Sequence, residues 1–69
     1  MNEFGERLRM IRTVWMDVDQ EALGELCGLS STTISHFETG RRTPSLKNLR
    51  KLKKGTGVSY DRLLDSDLT

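Results

Sequence analysis

The side chains most able to do chemistry stand in one short run, Ser31-Thr32-Thr33-Ile34-Ser35-His36-Phe37-Glu38-Thr39. Thr32, Ser35, His36 and Thr39 recur at i, i+3, i+4 and i+7, with Ser31 at the start, so a helix would gather them on one face. Ile34 and Phe37 would form the opposite, apolar face. Three chemistries present themselves. Ser35 beside His36 resembles hydrolase chemistry superficially, but neighbours on a helix point in different directions and no oxyanion turn accompanies them. One histidine and one cysteine do not assemble a metal site of useful ligand number, so no metal or cofactor is implied. The third chemistry is neutral hydrogen bonding. Hydroxyls donate or accept, a threonine methyl can pack on a thymine methyl, and a histidine can donate to guanine N7 or O6.

These side chains need elements to hold them. Asp19 can cap a helix over residues 20–27, with Leu23, Leu26 and Cys27 as its apolar stripe. Gly28 suits the left-handed backbone that ends a helix, and Ser30 can cap the next one, over residues 31–38. Two short helices joined by a glycine turn, the second with a polar outer face, make a helix-turn-helix that fits a DNA major groove. Three more helices complete an all-α chain. The first covers about residues 2–14, with Phe4, Leu8, Ile11 and Trp15 on one stripe. The fourth, about 45–54, follows Pro44 and the cap Ser45 and is expected to bury Leu46, Leu49 and Leu52. The fifth, about 60–65, is capped by Ser59 and carries Leu63 and Leu64. Four starts also carry an apolar pair at staple spacing: Val18 with Leu23, Leu29 with Ile34, Pro44 with Leu49, and Val58 with Leu63.

Sixty-nine residues suit one domain, and no apolar run is long enough to span a bilayer. The single Cys27 excludes an internal disulfide and suits a reducing cytoplasm; in its apolar slot it reads as a small buried hydrophobe. The net charge of +1 hides a strong segregation. Residues 1–40 hold three arginines against seven acids, whereas residues 41–62 hold eight Lys/Arg against Asp61 alone. Such a division makes a basic patch despite a nearly neutral total.

The chain resembles the Cro/repressor type of helix-turn-helix proteins, also called XRE-like, and in particular the DNA-binding domains of lambdoid phage repressors. Gln20, Leu23, Gly28, Ser30, Ile34, Ser35, Glu38, Gly40 and Pro44 stand at that family's characteristic offsets, and the match runs from Leu8 to Leu64. Gly24 takes the place of the family's usual alanine, keeping a small residue where the two helices cross. The resemblance implies a compact five-helix fold and a sequence-specific transcriptional regulator, of repressor type. It would bind a pseudo-palindromic operator as a dimer, with half-sites roughly 34 Å apart. Ser31, Thr32 and His36 fall where relatives read bases, with Ser35 able to join them. Gln20, Ser30, Thr39, Arg41, Arg42 and Thr43 fall where relatives meet phosphates, and Arg12 and Glu38 where they form a mostly buried salt bridge. Partners expected are duplex DNA and a second copy, held weakly through the region from Gly57 to Leu64, with no membrane and no small-molecule substrate. Two rivals stand beside this reading: a protein-binding module such as an antitoxin or anti-repressor partner, using Trp15, Met16 and Tyr60, and the N-terminal domain of a longer repressor.

Two departures from the family's pattern carry expectations of their own. The turn Trp15-Met16-Asp17-Val18 is one residue longer than in compact repressors and lacks their glycine. In the fourth helix Lys53, Gly55 and Thr56 replace small, apolar or helix-forming residues, which predicts an early or frayed end and a domain of low stability.

Overall fold

The computed structural model describes residues 3–65. Among them the chain forms α1 (Glu3–Met10), a π-helical segment (Ile11–Met16), α2 (Gln20–Cys27), α3 (Ser31–Thr39), α4 (Leu46–Thr56) and α5 (Tyr60–Asp65). The helix starts follow from local chemistry. Asp19 accepts the Ala22 amide at 2.8 Å, Ser30 that of Thr33 at 3.0 Å, Ser45 that of Asn48 at 3.2 Å and Ser59 that of Arg62 at 3.3 Å. Each bond satisfies an amide that the helix itself leaves open, a gain of about 1 kcal/mol per cap. Gly28, Gly40 and Gly57 take left-handed backbone at the ends of α2, α3 and α4.

Leu8, Ile11, Leu23, Cys27, Ile34, Phe37, Leu52, Val58 and Leu63 form the buried core, with Phe4, Met16, Val18, Leu29 and Leu49 packed against it. Phe4 meets Phe37 edge-to-face at 6.4 Å, which seats α3 on α1. α2 packs between α3 and α4, and α5 closes over α1 and α4. The buried Arg7 ties that closure down, donating to the Glu3 carbonyl at 3.1 Å and to the Leu64 carbonyl at 3.3 Å. No helix among the described residues is long and apolar enough to cross a membrane.

Several expectations need correction. The first helix does not stop near residue 14; it widens into the π-helical segment and ends at Met16. The extra residue per turn moves Trp15 off the inward stripe, and Met16 packs on the core in its place. Asp17 then supplies the left-handed residue that a glycine would otherwise provide (φ 54°), a conformation that Asp tolerates better than most side chains. Leu26 and Leu46 are exposed rather than buried, because α2 buries the stripe Leu23, Gly24 and Cys27 and α4 turns Leu46 outward at its first residue.

α4 also runs on to Thr56 without an early end. Gly55 within it serves packing rather than ending the helix. A β-carbon there would meet Cys27 Sγ and lie 2.9 Å from the Cys27 α-carbon, so the glycine lets α4 approach α2 closely. Thr56 Oγ1 donates to the Leu52 carbonyl at 2.7 Å and accepts the Val58 amide at 3.1 Å, which secures the last turn before Gly57.

Candidate nucleic-acid interface

The surface around α3 is built from its inner side outwards. Ile34, Phe37 and Glu38 are buried, while Thr32 and Thr39 are exposed and Ser31, Ser35 and His36 are half-buried. The four side chains expected to reach base edges therefore lie together along the outer side of one helix. The turn before α3 is set by close contact. The Leu29 amide donates to the Gly24 carbonyl at 2.8 Å, and a β-carbon on Gly24 would run into the Leu29 carbonyl oxygen. Even alanine is too large here, so α2 and the turn sit unusually close.

Glu38 fixes α3 to the rest of the molecule. Arg12 grips its carboxylate with two bonds, Nε to Oε2 at 2.7 Å and Nη2 to Oε1 at 3.1 Å. The Arg12 side chain is 11% exposed and that of Glu38 3%. Arg12 Nη1 also donates to the Val18 carbonyl at 3.0 Å, and the Val18 amide returns a bond to the Arg12 carbonyl at 3.1 Å. The hydrogen bond to Glu38 outweighs desolvation and raises the guanidinium pKa above its usual value. Gln20 Nε2 completes the cluster with a 3.1 Å bond to Glu38 Oε1. One carboxylate thus joins the π-helical segment, the first residue of α2 and the last turn of α3. Sequence reasoning missed the Val18 carbonyl as a third anchor; the longer turn at residues 15–18 was its only trace.

The other polar residues divide into two groups. Ser30 Oγ is occupied as a cap and shares a further 2.8 Å hydrogen bond with Thr33 Oγ1. Thr39 Oγ1 donates back to the carbonyls of Ser35 at 3.0 Å and His36 at 3.4 Å. Ser30 thus serves its own helix as a cap, while Thr39 and Gln20, also at helix ends, donate to the Ser35 and His36 carbonyls and to Glu38 respectively. Arg41, Arg42 and Thr43 are exposed in the loop after α3, and the Arg42 amide donates to the His36 carbonyl at 3.2 Å, folding that loop back beside the outer side of α3. From there the cations continue into α4 with Lys47, Arg50, Lys51, Lys53 and Lys54. Lys53 Nζ lies 5.2 Å from the centre of the Tyr60 ring.

A polar recognition face, a buried lock behind it and a basic loop at its edge are the parts of a helix-turn-helix protein. The chain belongs to the helix-turn-helix family, whose model matches residues 8–63. It is 42% identical to control protein C.BamHI of Bacillus amyloliquefaciens over 62 residues, which are 90% of this chain and 76% of that protein. It is 38% identical to repressor protein C2 of Salmonella phage P22 over 65 residues, 94% of this chain but only 30% of the repressor. Among solved structures, the P22 c2 repressor in complex with synthetic operator 9T superposes with a TM-score of 0.84 at 38% identity, over 93% of this chain and 96% of that one. The restriction-modification controller protein C.AhdI from Aeromonas hydrophila also gives 0.84, at 35% identity over 90% and 92% of the two chains.

Proposed function

We propose that this protein is a sequence-specific regulator of transcription that lays α3 in the major groove of duplex DNA and acts as a repressor or control protein at a pseudo-palindromic operator. The observation that carries the reading is the outward row of Ser31, Thr32, Ser35 and His36 on a helix locked from behind by Glu38. These four side chains contact base edges. Arg41, Arg42 and Thr43 contact phosphates on one side of the groove, and the N-terminal ends of α2 and α3, with Gln20 and Ser30, meet the backbone on the other, where helix amides favour an anion. Thr39 joins the phosphate contacts once its hydroxyl turns from the helix carbonyls.

None of the four base-reading side chains makes a bidentate pairing of the Arg–guanine or Gln–adenine kind, worth roughly 1–3 kcal/mol of discrimination. Direct readout is therefore modest, and DNA shape and phosphate contacts carry more of the specificity. Likeness to a repressor solved on its operator and to two control proteins supports this reading. The test is selection of binding sites from random duplex DNA, repeated with Thr32→Ala and His36→Ala. Loss of preference at defined bases is the expected result. A parent protein that binds selected and random duplexes equally at physiological salt refutes it.

A further inference from the structure

Between Leu46 and Thr56, α4 carries Lys47, Arg50, Lys51, Lys53 and Lys54 and no acid. Lys53 is taken up by the Tyr60 ring. The other four stand at i, i+3, i+4 and i+7 and so share one side of the helix, over about 10 Å at roughly 1.5 Å per residue. Lys47, Arg50 and Lys54 are exposed and Lys51 is half-buried. Among the described residues none of these four has a hydrogen bond, an ion pair or a ring partner. The fold gains nothing from the arrangement. Like charges at these spacings destabilise a helix, and Lys47 stands in the first turn, where the helix dipole disfavours a cation.

We infer that Lys47, Arg50, Lys51 and Lys54 form a second nucleic-acid site, which holds the phosphate backbone of a separate duplex segment while α3 faces the operator. The inference rests on the proposed operator binding only for the first duplex, and it uses none of the residues assigned to that contact.

Position separates the two sites. α2 packs between α3 and α4. α4 turns Leu52 into the core and sets Gly55 against Cys27 of α2. Arg50 and Lys54 lie nearly opposite Leu52 at roughly 3.6 residues per turn, so they point away from α2 and from α3 beyond it. A straight duplex laid along the outer side of α3 does not cover them. The molecule is 22 Å across in its shorter directions. That exceeds the Debye length of about 10 Å at 0.1 M salt, so one bound duplex does little to repel another on the far side.

Chemistry selects the occupant. The outward side of α4 has no aromatic residue, and Leu46 is its one exposed apolar residue. Protein interfaces deplete lysine and centre on buried aromatic or apolar anchors, which this side lacks. A duplex needs no such anchor. It presents about six phosphate charges per 10 Å of axis, and pairing them with lysine and arginine releases condensed counterions. Contact with three or so phosphates gives a salt slope of about −3 and no base preference.

The test uses two duplexes. The full chain is bound to a short immobilised operator taken from site selection, free protein is washed away, and a fluorescent duplex of random sequence is added. The expected result is capture of the second duplex, with a dissociation constant on the order of 10–100 µM near 0.1 M salt and a slope of about −3. Lys47→Gln, Arg50→Gln and Lys54→Gln combined, and independently Arg50→Glu, weaken capture by about tenfold or more. Both variants keep affinity for the short operator within about twofold of the parent and melt no lower, since like-charge repulsion in α4 is relieved. A parent that captures no second duplex, or a triple variant that captures as well as the parent, overturns the inference. So does operator affinity that falls in step with capture, which assigns the stripe to the read duplex. Poly-glutamate of equal charge that displaces the random duplex at equal concentration overturns it too, and assigns the stripe to an acidic protein surface. The operator reading is scored apart. A clear selected site beside failed capture sinks the second site and spares that reading; capture on an immobilised random duplex with no selected site does the reverse.

Discussion

Breaking the Arg12–Glu38 pair tests what holds α3 in place. With Arg12 replaced by methionine, a carboxylate whose side chain is 3% exposed loses both guanidinium bonds, 2.7 and 3.1 Å, and keeps the Gln20 amide among its partners. Stranding one charge of a buried pair costs about 3–5 kcal/mol. For a domain of this size each kcal/mol moves the melting temperature by about 4–8 °C, so even the lower figure lowers it by roughly 12–24 °C. Glu38→Leu should cost a similar amount, because the guanidinium, 11% exposed, then retains the Val18 carbonyl as its anchor. The double variant is the informative one. Replacing both charges by apolar side chains removes the desolvation cost together with the attraction, so the pair of changes should be far less destabilising than the sum of the singles. Urea and thermal unfolding followed by circular dichroism measure all three. A loss below about 1 kcal/mol for Arg12→Met, or a double variant whose loss equals the sum, would refute the account of Glu38 as a buried lock.

Arg41→Ala should weaken binding to every duplex alike and make the salt dependence shallower by about one unit of slope, as loss of a single phosphate contact does; a change confined to particular base positions would contradict that role. Gly55→Ala should destabilise the protein by about 1 kcal/mol even though alanine is the better helix former by about 1, because its β-carbon lands on Cys27 and overpacking costs about 1–3. A variant melting above the parent would show that α4 and α2 have room to part. Burial pushes the Cys27 thiol above its ordinary pKa of 9.0, so the folded state retains a proton that the unfolded chain releases first. Its contribution to stability is therefore complete below the unfolded pKa and declines as pH rises through and beyond it, with little change at neutral pH. Comparing unfolding of the parent and Cys27→Ala between neutral and alkaline pH isolates the effect, and an identical alkaline decline in both would assign it elsewhere.

The parts of the fold most legible in the sequence are those decided locally. Asp19, Ser30, Ser45 and Ser59 announce their helices because a cap needs only an amide two or three residues away. The apolar partners of those starts follow, with Val18, Leu29 and Leu49 on the core and Val58 and Leu63 within it. What stayed hidden depends on groups distant in sequence. Periodicity ranks Leu26 with Leu23 and Cys27, but only the positions of α3 and α4 around α2 decide how wide its buried stripe is. Gly55 looks like a helix breaker until Cys27, on another helix, is seen to need its space. The π-helical segment has no local signature either, since Arg12 at its second residue reaches forward to Val18 and Glu38. For the candidate interface, the residue types and their common face were readable from spacing, whereas the hydrogen bonds of Thr39 back to the carbonyls of its own helix were not.

The closeness of Gly24 to the Leu29 carbonyl has a consequence beyond packing. With no room for even a methyl group between α2 and the turn, and with Glu38 clamped from behind, the reading head has no slack along which to adjust. A rigid die and a deformable sheet divide the work unequally: on the proposed reading, any misfit of curvature or groove width must be absorbed by the duplex. Base steps that no side chain touches then enter the selection through their stiffness, and an operator is recognised partly by how readily it yields.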